Sequence, residues 1–142
     1  MTPEQLAVAA ANEDFYAAVS AGDLGAIDEL WFPAEWTECV HPGWTSLRGW
    51  EAVRESWQLL FGGDARLAIS ITEVRVRILG DVAWASCLER HATADSEQIH
   101  TSLAQATNIF VRHDGKWRMV VHHASPVPFL TPQAPPAGSL VN

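Results

Sequence analysis

Three places in the chain carry side chains that could move a proton or hold an oxygen atom. The first is His41, in Glu38-Cys-Val-His-Pro-Gly-Trp44, where an imidazole stands between an extended run and a turn. A neutral imidazole, with an ordinary pKa of about 6.5, accepts a proton at neutral pH without elaborate tuning. The second is the pair His122-His123. The third is Asn108, a polar residue in an otherwise apolar strand pattern. Each also has a plain reading: a turn histidine bonding its own backbone, a core histidine, and a satisfied structural amide. Neighbouring strand residues face opposite ways, so only one of His122 and His123 points inward. Hydropathy groups Trp117, Met119, Val121 and His123 on one face, leaving Val120 and His122 on the other.

These groups need elements to hold them. Pro42 and Gly43 stop the strand before them, since proline donates no ladder hydrogen bond and glycine accepts the backbone angle of a sharp turn. A helix starts at Gly49, with Trp50, Val53 and Trp57 on one side and Glu51, Arg54 and Glu55 between them, and runs to about Phe61. Upstream, Leu6, Ala10, Phe15 or Tyr16, and Val19 recur at helical spacing from Pro3 to Ala21, with Thr2 as the cap. Asp23 caps a second short helix through Leu30, and Trp36 to Val40 reads as a short strand. Beyond Gly62-Gly63-Asp64 the period changes to two. Strands are expected at Ala65–Leu79, Val82–Ala94, Ser96–Arg112 and Trp117–His123, the last pair joined by the hairpin turn His113-Asp-Gly-Lys116. From Ser125 the chain is proline-rich and aperiodic. Three N-terminal helices followed by long antiparallel strands predict an α+β domain whose curved sheet wraps the helices into a cone. The domain is expected to span residues 1–126, with a tail over 127–142.

The 142 residues, 48% apolar, suit one domain with a real core. Nine Lys and Arg against seventeen Asp and Glu give a formal charge of −8, which argues against a nucleic-acid partner. No apolar run approaches the ~20 residues of a membrane span, and no basic region precedes an apolar stretch at the N-terminus, so a cytoplasmic location is expected. Cys39 and Cys87 lack CxxC spacing and read as buried free thiols. The histidines show neither an i, i+4 helical pair nor HExxH, so no metal is expected; His91, His100 and His113 read as surface strand or turn residues. Seven tryptophans are available to line a cavity or an interface.

Several motifs together resemble the SnoaL-like branch of the nuclear transport factor 2 (NTF2) superfamily, which includes ketosteroid isomerase, scytalone dehydratase and the association domain of calcium/calmodulin-dependent kinase II. They are Ala18-Val-Ser-Ala-Gly-Asp-Leu24, His41-Pro-Gly43, Leu47-Arg-Gly-Trp-Glu-Ala-Val53 and Asp114-Gly-Lys-Trp-Arg-Met-Val-Val-His-His-Ala-Ser-Pro126, and the resemblance extends from about Glu4 to Pro126. It implies the cone-shaped NTF2-like fold. It also implies that His41-Pro42 stands where ketosteroid isomerase has its aspartate base, and Asn108 where that enzyme holds a protonated aspartate against the substrate oxygen. The isomerase tyrosine falls on Phe15, with Tyr16 one place along, and a supporting tyrosine falls on Trp57; both are departures from the isomerase pattern. The resemblance sets His122 and Ala124 on the pocket side.

The expectation that follows is a pocket for a small apolar or aromatic molecule, lined by Phe15, Tyr16, Trp44, Trp57, Trp84, Phe110, Val120 and Ala124. In it His41, Asn108 and His122 would perform cofactor-independent isomerase, lyase or cyclase chemistry on a carbonyl or phenolic substrate. The alternative is a non-catalytic homodimeric binding or association module; a homodimer is expected in either case. Fold alone does not choose between them.

Overall fold

A computed structural model describes residues 1–94 and 97–128. Helix α1 covers Pro3–Ala21, opened by a capping box in which the Thr2 hydroxyl accepts from Gln5 N–H and the Gln5 side chain accepts from Thr2 N–H. It stops at Gly22, whose φ of 63° is the left-handed conformation that glycine adopts without strain. Helix α2 covers Leu24–Leu30 behind the Asp23 cap. After strand β1, Glu38–Val40, and the two-residue strand β2, Leu47–Arg48, helix α3 runs Trp50–Phe61. Gly49, at φ 89°, bends the chain into α3, and the bonds Gly49 N–H to Thr37 O and Trp50 N–H to Ala34 O pin that start to the connector after α2.

Strands β3 (Arg66–Leu79), β4 (Val82–Ala94), β5 (Ile99–His113) and β6 (Lys116–Val127) form an antiparallel meander. The β5–β6 turn has Asp114 and Gly115 at φ 52° and 75°, the pair of positive angles that a tight hairpin turn requires. The sheet order is β2-β1-β6-β5-β4-β3, with β1 parallel to β6, so the expected antiparallel sheet is in fact mixed, and among the described residues both its edges are open. The last strand also passes the expected limit at His123. Register with β5 continues to Leu103 opposite Val127, because β5 is long enough to offer partners that far. The expected tail from residue 129 onward lies outside the described residues, as does Ser96, where the third long strand was expected to begin.

Two register shifts shape the cone. In β3 the shift lies between Thr72 and Arg75, with Glu73 at φ 56°, and it moves the inward set from Leu67, Ile69, Ile71 to Val74, Val76, Ile78. In β6 the register passes from Phe110 opposite Met119 to Ile109 opposite Val121, so Val120 is the extra residue. Alanines 83, 85, 104, 106 and 124 line the middle of the inner face, and the space above them is taken by the large side chains of α1 and α3. No helix among the described residues is long and apolar enough to cross a membrane.

Candidate functional site

Four rings from four elements meet at the centre of the cone. Phe15 comes from α1, His41 from the end of β1, Trp57 from α3 and His122 from β6. Ring centroids lie 4.6 Å apart for His41 and Trp57, 4.9 Å for Phe15 and His122, 5.5 Å for Phe15 and Trp57, 6.0 Å for Trp57 and His122, and 6.4 Å for the two imidazoles. All four residues are buried. Trp44 stands edge-on to His41 at 4.8 Å on the partly exposed side.

Hydrogen-bond balance fixes the tautomers. Ser56 gives its single hydroxyl proton to Val53 O at 2.6 Å, so at 2.8 Å from His41 Nε2 it must accept, and Nε2 carries the hydrogen. His41 Nδ1 then keeps its lone pair, facing only the weakly interacting Cys39 thiol at 3.9 Å. The ring therefore bonds helix α3 and not its own turn. Its own carbonyl accepts from Trp44 N–H.

The second chain of bonds is longer. Tyr16 donates its hydroxyl proton to Glu89 Oε2 at 2.6 Å, so the Asn108 group 3.0 Å from the Tyr16 oxygen is its NH2. The other amide hydrogen goes to Asn12 Oδ1 at 2.8 Å, and Asn108 Oδ1 accepts from His122 Nδ1–H at 2.6 Å. Both amide hydrogens of Asn108 are thus committed within the protein, and its place is behind His122, not facing an open site. His122 Nε2 keeps a lone pair, 3.9 Å from Glu89 Oε2. Glu89 Oε1 accepts from His91 Nε2–H at 2.6 Å.

The electrostatics follow from burial and these bonds. Burial, with His122 nearby, pushes His41 down to about 4, although Glu89 pulls the other way. Burial likewise pushes His122 down to about 4 against the pull of Glu89. Burial works to raise Glu89, which is 1% exposed, but the His91 hydrogen bond, nearby His122 and the Tyr16 hydroxyl outweigh it and hold the carboxyl below its ordinary value. Glu89 is ionised beside a neutral His122, because it holds two 2.6 Å hydrogen bonds while the 3.9 Å approach to His122 is too long to be one. Burial first, then the Glu89 charge, pushes the Tyr16 hydroxyl and the Cys39 thiol up, so both stay protonated.

The expected lining residues divide. Phe15, Tyr16, Trp57, Phe110 and Ala124 are buried in the inner core, and Val120 is buried at the bulge. Tyr16 reaches the network from a position one place along from Phe15 because α1 buries a stripe wide enough for both rings, 4.9 Å apart. Trp84 was expected to line the site, but period two sets it opposite in parity to the inward-facing Ala83, Ala85 and Cys87, on the other face of β4. His91, expected at the surface, is bonded to the buried carboxylate. The Val120 bulge resolves the two groupings of β6, since Trp117 and Met119 before it and His122 and Ala124 after it are all buried, while His123 is exposed. Glu89, Asn12 and Ser56 were not singled out by sequence reasoning. The available signal was parity for Glu89, two residues from Cys87, and helical spacing for the others, Asn12 three before Phe15 and Ser56 three after Val53.

The centre is filled by its own rings. A cleft of about 430 Å³ lies beside Trp44 and Ser56, and another of about 440 Å³ lies between the C-terminal ends of α1 and α3 and the start of β3, with Trp57 and Phe61 in its wall. Neither has His41, Asn108 or His122 in its lining. Among the described residues the buried Trp57 indole N–H has no partner, an arrangement costing about 1–3 kcal/mol. Among the described residues, no group of three or more His, Cys, Asp or Glu is placed to hold a metal ion.

A family model described as the SnoaL-like domain matches residues 8–129. A solved protein of the NTF2-like family from Streptomyces avermitilis, whose name proposes a dehydratase, is 32% identical with a TM-score of 0.82, over 87% of this chain and 96% of that one. The association domain of the Caenorhabditis elegans kinase CaMKII, 19% identical with a TM-score of 0.72 over 86% of this chain and 95% of that one, shares the fold. The F-box protein SKIP8 of Arabidopsis thaliana is 30% identical over 119 residues, 84% of this chain; the chain spans about half, 49%, of that protein's length.

Proposed function

The chain belongs to the SnoaL-like domain family, and from that premise we propose that it binds a small apolar or aromatic molecule inside the cone and transfers a proton on it, without a cofactor, as an isomerase, lyase or cyclase. The observation that carries this reading is Glu89. An ionised carboxylate in an apolar core costs several kcal/mol unless fully paired. Here a tyrosine and two histidines surround it, and two asparagines stand behind the tyrosine and His122, as expected of a site and not of packing alone.

In this reading His41 is the base, because its Nδ1 lone pair has no committed partner. Glu89 stabilises the imidazolium that forms, while His122 works against the charging of His41. Asn108 is a positioning residue that fixes the tautomer of His122. Turnover of carbonyl and phenolic candidates, compared between the wild type and His41→Ala, tests the assignment. Activity that is unchanged in the variant removes the base.

One observation favours a second reading, a homodimeric binding or association module without catalysis: the polar groups satisfy one another and the centre is closed. Ligand binding without turnover at every pH from about 5 to 9, with a dimer in sedimentation, would select it.

A further inference from the structure

We propose that Trp57 is a displaceable plug and that the molecule taking its place is a flat, neutral aromatic carrying a hydroxyl donor. The proposal rests on the small-molecule reading above and specifies its ligand. Trp57 touches three rings of the central cluster on one side and lines the 440 Å³ cleft on the other. Its indole N–H has no partner among the described residues, so moving the ring into the cleft breaks none of their hydrogen bonds.

The slot left behind is as flat and thick as an indole ring. Its walls are the edge of Phe15 and two imidazoles whose N–H groups are already given to Ser56 and Asn108. Neither ring has an N–H left to give an occupant. A molecule that can only accept therefore finds no donor in these walls, whereas a hydroxyl brings its own proton to the two ring nitrogens left without one. An anion is excluded more strongly, because the Glu89 carboxylate lies directly behind His122.

The test uses the full chain labelled with ¹⁵N, titrated with 2-naphthol, 2-methoxynaphthalene and 2-naphthoate. The Trp57 indole resonance is identified by its loss in Trp57→Phe. The expected result is that 2-naphthol moves the Trp57 indole resonance together with the imidazole resonances of His41 and His122. The ether and the carboxylate should bind about tenfold more weakly or worse, and Trp57→Ala should bind 2-naphthol about tenfold more tightly. Should that variant fail to fold, Leu67→Trp, which fills the cleft the indole would enter, must weaken 2-naphthol binding by about tenfold. If the two histidines respond while Trp57 does not, if removing the indole brings no gain, or if the carboxylate binds as well as the alcohol, the plug is overturned and the proton-transfer pocket stands. If 2-naphthol reaches none of the three residues, both fall.

Discussion

Mild acid should destabilise this protein well above the pH at which carboxylates protonate. The folded state holds His41 and His122 neutral, their pKa values pushed from 6.5 to about 4, so between those values an unfolded chain binds protons that the folded chain refuses. Stability therefore falls as pH drops through this window. At pH 5 each imidazole is largely charged in the unfolded state and neutral in the folded one, a loss of about 2 kcal/mol per group and about 4 kcal/mol for both. That is a large share of the ~5–15 kcal/mol that holds a typical domain together. With a urea dependence of about 2 kcal/mol per molar, the midpoint should move down by about 2 M between pH 7 and pH 5. Glu89, held below its ordinary value when folded, adds a further loss below about pH 4.5, again in the acid direction. Urea titrations monitored by circular dichroism at several pH values would measure the curve, and His122→Gln should remove about half of its slope between pH 7 and 5. A midpoint that moves by less than about 0.5 M, or a variant as pH-sensitive as the wild type, would refute the neutral-imidazole assignment.

Three further outcomes are expected. Asn108→Ala leaves the His122 Nδ1–H and the Asn12 carbonyl without partners and should cost about 2–4 kcal/mol by chemical denaturation; a loss below about 1 kcal/mol would mean the amide is not the hub. Gly115→Ala meets open space but must hold φ 75°, so thermal unfolding should show a backbone cost of about 1 kcal/mol with no change in the core. Cys39 and Cys87 are buried and their thiols are pushed up by burial, so neither should react with a thiol reagent at pH 8 until urea is added; mass spectrometry of a native labelling time course would reveal a fast-reacting thiol if one exists.

Much of the fold could be read from the chain because its local signals are strong. Thr2, Pro3 and Gly22 bound α1, and Asp114-Gly115 demands a tight hairpin. The step from Ile71 to Val74 already moves the apolar set from odd to even numbers, which is the β3 bulge written in sequence. Strand β2 could not be found, since two residues have no period, and the parallel pairing of β1 with β6 joins segments about eighty residues apart. At the site, the positions of His41 and Asn108 were visible but their partners were not. Ser56 is an ordinary polar residue on an amphipathic helix until its hydroxyl is seen against the imidazole. Glu89 was passed over because acids are most often solvated, and only parity with Cys87 marked it as inward. Trp84 was misplaced for the converse reason, when aromatic character outweighed strand parity.

The extra residue at Val120 makes spacing a chemical variable. A straight strand of the same sequence would set Val120 opposite Ile109 and Val121 opposite Asn108, and would swing His123 inward and turn His122 outward; the bulge is what carries His122 to the amide. The bulge, and not the letters alone, therefore chooses which of two adjacent imidazoles enters the core, and a pairing that lost it without loss of a residue would exchange the interior chemistry with no substitution at all.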